Sequence, residues 1–357
     1  MNVKDIKRKM RKQQKQKLSF KDFVSTGSTL LNLACTGKPF CGFAKGKYYF
    51  LVGDSASGKT FLSLTCLAEA SINPNFKNYR FIYDNNEDGA LMDVQKFFGQ
   101  GVSDRLEPPS IDDGEPGYSS TIEEFYFHVS DAIEQEKPFI YILDSMDSLS
   151  SKDEISKFEE TTDAYRRGRE TTGSYGDGKA KKNSSNLRRL LTPLRKSGSI
   201  LIIINQTRDN LGFGFEKKTR SGGKALRFYA CLEMWSAIRS KIYKTIKGKK
   251  RQLGILCQVA IKKNRITGRE REITVPIYHS FGIDDIGGCI DYLLGEGHWG
   301  IKGKVIVAPE FEFKGMKEKL IRHIEDNRLE KDLRSIVGDV WNEIEDACAL
   351  KRKKRYE

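Results

Sequence analysis

The chain has 357 residues, of which 38% are hydrophobic and 31% charged, and carries a net charge of +14. No apolar run approaches the roughly 20 residues of a membrane span, and the first residues lack a signal peptide's apolar centre, so a cytoplasmic protein with no membrane association is expected. Seven cysteines without a CxxC pair and four scattered histidines argue against zinc or a disulfide framework, while the excess of cations favours a polyanionic partner, nucleic acid before membrane.

Taken in chain order, the opening VKDIKRKMRKQQKQK carries eight basic residues against one acidic. Over 3–16 it reads as a basic helix with Ile6 and Met10 four apart, enough for a small apolar contact, hence an arm (1–23) suited to oligomerisation. From about 25 to 280 apolar strands alternate with helical stretches: YYFLV (48–52), YRFIY (79–83), PFIYIL (138–143), SILIII (199–204), ACLEMWSAI (230–238), GILCQVAI (254–261) and EITVPIY (272–278). Strands greasy on both faces and separated by helices predict an α/β fold with a twisted, mainly parallel sheet. The later strands follow one another closely and predict an antiparallel extension.

Between the first strand and the helical pattern TFLSLTCLAEA lies Gly53-Asp54-Ser55-Ala56-Ser57-Gly58-Lys59-Thr60, a G-x-x-x-x-G-K-[ST] P-loop in the right context. Such glycines let backbone N–H groups curl around phosphates, Lys59 reaches the β and γ phosphates, and the Thr60 hydroxyl ligates Mg²⁺, so ATP and Mg²⁺ are the expected ligands. The metal needs an acid at a neighbouring strand end, which FIYILDSMDSLS supplies as Asp144; Asp147 lies beyond that strand end. FIYDNNEDGAL ends another strand in a run of acids and amides, and Glu87 is chosen there as the base that orients the attacking water.

Residues 150–186 are polar, rich in Gly and Ser, and predict a long loop; it holds Arg166, Arg167, Arg169, Lys179, Lys181 and Lys182. Residues 207–227 carry six basic side chains against two acidic, interleaved with Leu211, Phe213, Phe215 and four glycines. Basic groups track a phosphate backbone while apolar groups wedge between bases, so Arg208, Lys217, Lys218 and Arg220 with those three apolar residues form a candidate single-stranded DNA loop. Past about 310 the pattern gives two amphipathic helices, with Leu320, Ile321 and Ile324, then Ile336, Val337, Val340, Trp341 and Ile344, as a small C-terminal helical unit (301–357). The chain ends in KRKKRYE.

Together VSTGSTLLNLACTG (24–37), GDSASGKT, YILDSMDSL, IINQTR with SGGKALRFYA, IKKNRI (261–266) and FGIDDIGGCIDYLL (281–294) resemble the RecA-family recombinases, specifically the bacteriophage UvsX-like branch, over about residues 24 to 300. The last two runs are similar to the final strands of that family's ATPase core. The resemblance implies a RecA-type P-loop ATPase core (24–300), a homo-oligomeric helical filament on single-stranded DNA, pairing with homologous double-stranded DNA, and DNA-stimulated ATP hydrolysis. It also implies single-strand-binding and mediator proteins as partners, in the host bacterial cytoplasm if the chain is phage-encoded. Gln206 would sense the γ-phosphate, Arg208 would contact DNA phosphate, Leu211 would wedge base triplets, and Lys263 and Arg265 would reach the neighbour's ATP. The strand end at 84–88 holds one residue more than the family's Asp-x-Glu: register puts Asn86 at the catalytic position and the spacing to the next helix favours Glu87. The loop at 150–186 is longer than the family's first DNA loop, and the basic C-terminus replaces an acidic tail. Two other readings compete, a ring helicase on the same core and a mediator that binds ATP without exchanging strands.

Overall fold

The structure, a computed structural model, describes residues 4, 5, 18–87, 92–168, 178–209, 218–220 and 224–353. After β1 (Phe23–Val24), α1 (Thr29–Thr36) and β2 (Phe43–Ala44), the chain alternates as β3 (Lys47–Gly53), α2 (Lys59–Ile72), β4 (Arg80–Asn85), α3 (Val94–Phe98), α4 (Gln100–Ser103) and β5 (Leu106–Glu107). A small ribbon, β6 (Ser110–Asp112) with β7 (Glu115–Gly117), precedes α5 (Ile122–Glu134), β8 (Phe139–Asp144), α6 (Lys152–Arg166), α7 (Gly178–Ser197) and β9 (Ile200–Asp209). There follow β10 (Lys218–Arg220), α8 (Lys224–Tyr229), β11 (Leu232–Ile246), β12 (Lys249–Asn264), β13 (Glu272–Tyr278), β14 (Gly282–Ile283) and α9 (Asp285–Gly295). Three short strands, β15 (Gly300–Lys302), β16 (Val305–Ala308) and β17 (Phe313–Gly315), and the helices α10 (Lys317–Asp326) and α11 (Glu330–Ala347) complete the chain.

The main sheet runs β14-β13-β12-β11-β3-β9-β8-β4-β5, with β10 paired to β9. From β11 to β5 every pairing is parallel, and from β11 outward to β14 every pairing is antiparallel. Successive side chains of a strand face opposite sides, and both sides are covered. Tyr49, Leu51, Ile140, Ile142, Ile200, Ile202 and Ile204 pack in one core with α1 and α2, while Tyr48, Phe50, Val52, Tyr141, Leu143, Leu201 and Ile203 pack in the other with α5 and α7. The C-terminal helices join the first core through Leu320, Ile324, Leu333 and Val337. Six of the seven cysteines are buried free thiols. Among the described residues, no helix is long and apolar enough to cross a membrane.

The structure corrects four expectations. The polar stretch 150–186 is helical where described: α6 starts at a capping box, Ser151 with Glu154, and buries none of its side chains, so it carries no apolar periodicity to read. The strand expected at 199–204 runs on to Asp209, and Lys218–Arg220 returns antiparallel to it, so residues 207–209 and 218–220 of the expected loop form a β-ribbon. The run 281–294 is mostly helix, because Asp284 caps Gly287 N (2.7 Å) and Cys289, Ile290 and Leu293 bury at helical spacing. The C-terminal unit holds a three-stranded sheet beside its two helices. Of the helix expected at 3–16, residues 3 and 6–16 lie outside the described residues.

Candidate functional site

The P-loop leaves the end of β3. A Cβ on Gly53 would stand 2.2 Å from the Ser236 hydroxyl, and Gly58 takes a φ of +91° with Ile277 Cδ1 2.7 Å from where its Cβ would lie. Glycine at both places lets the loop press against the sheet and turn into α2 at Lys59. Ser57 is fixed from below: its hydroxyl shares a hydrogen bond with Ser236 Oγ (2.7 Å) and its carbonyl accepts from Cys257 Sγ (3.0 Å). Ser55 and Ala56 are left exposed as the lip, in front of the N-terminus of a 14-residue helix.

The buried Lys59 ammonium donates to the carbonyls of Gly53 (3.0 Å) and Asp54 (2.7 Å). Burial pulls its pKa down, against the pull of Asp144, Glu87, Asp54 and Asp147. Thr60 Oγ1 and the Tyr83 hydroxyl both donate to Asp144 Oδ2, at 2.7 and 3.2 Å. Burial raises the Asp144 carboxyl above its ordinary range; Glu87 adds to that, and the two hydroxyls oppose it. Opposed main-chain donors and a lysine suit a phosphate chain, and a hydroxyl beside a carboxylate that is costly to ionise suits a divalent cation.

The tip of β4 closes the site. Ser145 Oγ donates to Glu87 Oε1, and Gln206 Nε2 donates to the same oxygen at 2.8 Å. Asn86 Oδ1 instead accepts from Ser148 Oγ (2.5 Å), and its amide nitrogen is buried with no partner among the described residues. Gln206 lies opposite Gly53 in the β3–β9 register, its N–H donates to Asp147 Oδ2 (2.5 Å), and the next residue, Thr207, donates its hydroxyl to Asp54 Oδ1. Asn86, Glu87, Asp147, Ser148, Gln206 and Thr207 line an open cavity of about 480 Å³. Lys59, Thr60, Glu87, Asp144 and Gln206 therefore form one cluster, and Asp147, which lies past the strand end, is part of it.

Lys263 and Arg265 lie elsewhere. Asn264 pairs with Leu232 and Leu232 with Tyr49, so the two cations sit at the edge where β3 begins, opposite the P-loop edge. Lys263 Nζ donates to the carbonyls of Arg227 and Phe228, both at 2.7 Å, and Arg265 Nη2 to that of Phe228 at 2.7 Å. They hold the carbonyl end of α8, the helix that follows the second candidate loop. Burial, then the neighbouring Arg265, brings the Lys263 ammonium down to about 8.

Of the DNA candidates, Arg166 and Arg167 are exposed at the end of α6. Arg208, Lys218 and Arg220 have their main chains in the β9–β10 ribbon at the P-loop edge. Arg169, Leu211, Phe213, Phe215 and Lys217 lie outside the described residues. The hairpin of β11 and β12 is a feature that sequence reading missed. Beyond Gly254, where β13 stops pairing, its arms project with Lys244, Lys247, Lys249, Lys250 and Arg251 and no acid. Its turn, Lys247-Gly248, has positive φ at both residues (51° and 74°), the two-residue geometry that a K-G pair between charged strands can signal.

Comparison with known proteins agrees with this geometry. The RecA N-terminal domain model matches residues 4–284. The protein RecA of Clostridioides difficile is 30% identical over 279 residues, covering 76% of this chain and 69% of that protein. Those of Cytophaga hutchinsonii (28% over 277 residues, 75% and 67%) and Thioalkalivibrio sulfidiphilus (26% over 281 residues, 77% and 71%) are similar too. The match spans the P-loop, the acid-bearing strand ends and the β9 tip just described, and the chain belongs to the RecA family.

Proposed function

We propose that the chain is an ATP-dependent recombinase, which forms helical filaments on single-stranded DNA, pairs it with homologous duplex and exchanges strands. The bacteriophage UvsX-like branch remains part of this reading and rests on the residue pattern alone. One observation carries it: Gln206 and Thr207 join the nucleotide cluster, through Glu87, Asp147 and Asp54, to the strand that runs into the second candidate DNA loop.

In this reading Gly53 to Thr60 hold the phosphates of ATP, and Thr60 with Asp144 hold Mg²⁺, whose charge neutralises the leaving phosphates. Glu87 is the base. Its carboxylate lies with Gln206 and Ser145, where a water can be oriented, whereas Asn86 offers an amide and no basic oxygen. Gln206 reports nucleotide state to the ribbon. A contact made in only one nucleotide state shifts the order of the loop by its differential affinity. Lys263 and Arg265 stand too far along the sheet to serve their own P-loop, and this supports head-to-tail assembly, in which they meet the neighbour's nucleotide. Repeated head-to-tail contacts build a filament unless they close into a ring. Arg166, Arg167, Arg169, the 207–222 segment and the basic hairpin supply cations for phosphate contacts, which dominate affinity and carry little sequence preference.

The test is ATP hydrolysis measured with and without single-stranded DNA, joined to electron microscopy with a non-hydrolysable ATP analogue. DNA-stimulated hydrolysis with extended helical filaments is the expected outcome. Closed rings would favour a helicase, and nucleotide binding without hydrolysis would favour a mediator.

A further inference from the structure

Asp84 is wholly buried at the end of β4, three residues ahead of Glu87, and is absent from the nucleotide cluster. A buried carboxylate is costly unless donors surround it, and three do: Ser119 N (2.9 Å) on Oδ1, with Ser119 Oγ (2.6 Å) and the Tyr141 hydroxyl (2.7 Å) on Oδ2. Because the Ser119 hydroxyl gives its proton to Asp84, it accepts from His128 Nδ1–H at 2.9 Å, which fixes the tautomer of that half-buried ring.

Ser119 belongs to a short strap that leads into α5, and the next residues of the strap hold the root of α6. Thr121 bridges Ser150 in parallel, Ile122 N donates to Ser150 O (2.9 Å), and Ser150 N donates to Ser120 O (3.2 Å). One residue on, Ser151 caps α6, while Lys182 ties Glu123 of α5 to Asp153 of α6. At its other side Glu87 N donates to Asp144 O (3.3 Å), so the tip of β4 is clasped between the strap and β8. Hydrogen bonds joined by short stretches of main chain thus lead from the root of α6, through Ser120 and Ser119, to Asp84 on the strand that runs on to Glu87.

We propose that the 119–121 strap is a positioning element, with Ser119 as its principal residue, that sets Glu87 at the P-loop and ties its placement to α6. This rests on the function proposed above, with Glu87 as base and α6 leading into the first DNA segment. DNA seated on that segment steadies the strap, and the strap steadies the base.

The experiment compares Ser119→Ala with the parent chain. A base displaced by about 1 Å loses as much as roughly a hundredfold in rate, so kcat with single-stranded DNA falls at least tenfold, the DNA-stimulated share falling most. KM for ATP and DNA affinity stay within about twofold, since no phosphate or DNA contact is removed. Ser119→Thr, which keeps the hydroxyl, recovers most of the rate. An unchanged kcat in folded Ser119→Ala overturns the proposal, as does an equal loss with and without DNA. Should that variant not fold, His128→Ala decides, with an expected loss of about threefold from a loosened orienting hydrogen bond and no loss as the contrary result. A parent chain that does not hydrolyse ATP would instead sink the function. Amide exchange at 84–87 and 150–154, expected to rise together in the variant, would then test the strap alone, and unchanged exchange would overturn it.

Discussion

The residues gathered at the two ends of β3 carry opposite charge and opposite chemistry. Where β3 ends, Asp54, Glu87, Asp144 and Asp147 crowd around one lysine, and their hydrogen bonds run between four different strand ends. Where β3 begins, Lys263 and Arg265 rest on the carbonyl end of α8 beside an exposed Phe228. The cluster around the P-loop can cradle phosphate with Lys59 as its one cation among the described residues, and the other edge has cations without a cradle. In the function proposed above each edge is half a site, and a complete one joins the first edge of one copy to the second edge of another.

The largest effect that sharpens this contrast is expected from Lys59→Ala. Removing the P-loop ammonium should abolish hydrolysis and weaken ATP binding by two orders of magnitude or more, roughly the loss of a buried charge-assisted contact. Its partners in the free chain are two main-chain carbonyls, so circular dichroism should remain that of the parent while a fluorescent-nucleotide titration reports the loss. Next comes Glu87→Gln, with kcat falling by about a hundredfold or more at unchanged ATP affinity. A comparable fall in Asn86→Ala with an active Glu87→Gln would move the water-orienting position one residue back.

Those two predictions came from residues legible in the sequence, and the reason is physical. Strands such as YYFLV and SILIII are buried on both faces, so composition alone marks them, and the P-loop depends on local spacing that a single window contains. Asp144 was readable because it ends such a strand, and Gln206 because the run IINQTR resembles that of the family. What could not be read depends on contacts between distant segments or on surfaces with no apolar pattern. Asp84 looks like its acidic neighbours until Ser119 and Tyr141 close over it. α6 buries nothing, and the hairpin arms from Arg239 to Arg251 alternate charge with exposed Tyr243 and Ile246, so neither shows the periodicity of a half-buried element. The opposition of the two edges likewise follows from the register of β12 on β11, which only the fold supplies.

A smaller effect should come from pH. The Lys263 ammonium lies near 8 in the free chain, below its ordinary value of 10.5, so its proton leaves the folded chain while the unfolded chain still holds it. This group therefore makes the isolated chain more stable as pH rises from about 8 to 10.5, and over the same window it strips the second edge of a charge. Hydrolysis in the DNA-bound assembly should decline as pH rises above about 8, with a midpoint that the neighbour's phosphates move upward, and the Lys263→Arg variant should not follow it; a parallel decline in both would detach the effect from Lys263. The smallest effect is expected at the hairpin. Replacing Lys249, Lys250 and Arg251 by alanine should weaken DNA affinity evenly across sequences and reduce the salt slope by about 2 to 3, close to one for each phosphate that no longer meets a cation. An unchanged slope would leave the hairpin out of the DNA surface.

The most direct measurement mixes two inactive chains. Lys59→Ala keeps the second edge and the double variant Lys263→Ala with Arg265→Ala keeps the first, so in a random assembly about one contact in four joins two intact edges, as head-to-tail association requires. Hydrolysis on single-stranded DNA should return to about a quarter of the parent rate in an equimolar mixture. A mixture no more active than the sum of its two parts would contradict the account, because each chain would then have to hold its whole site alone.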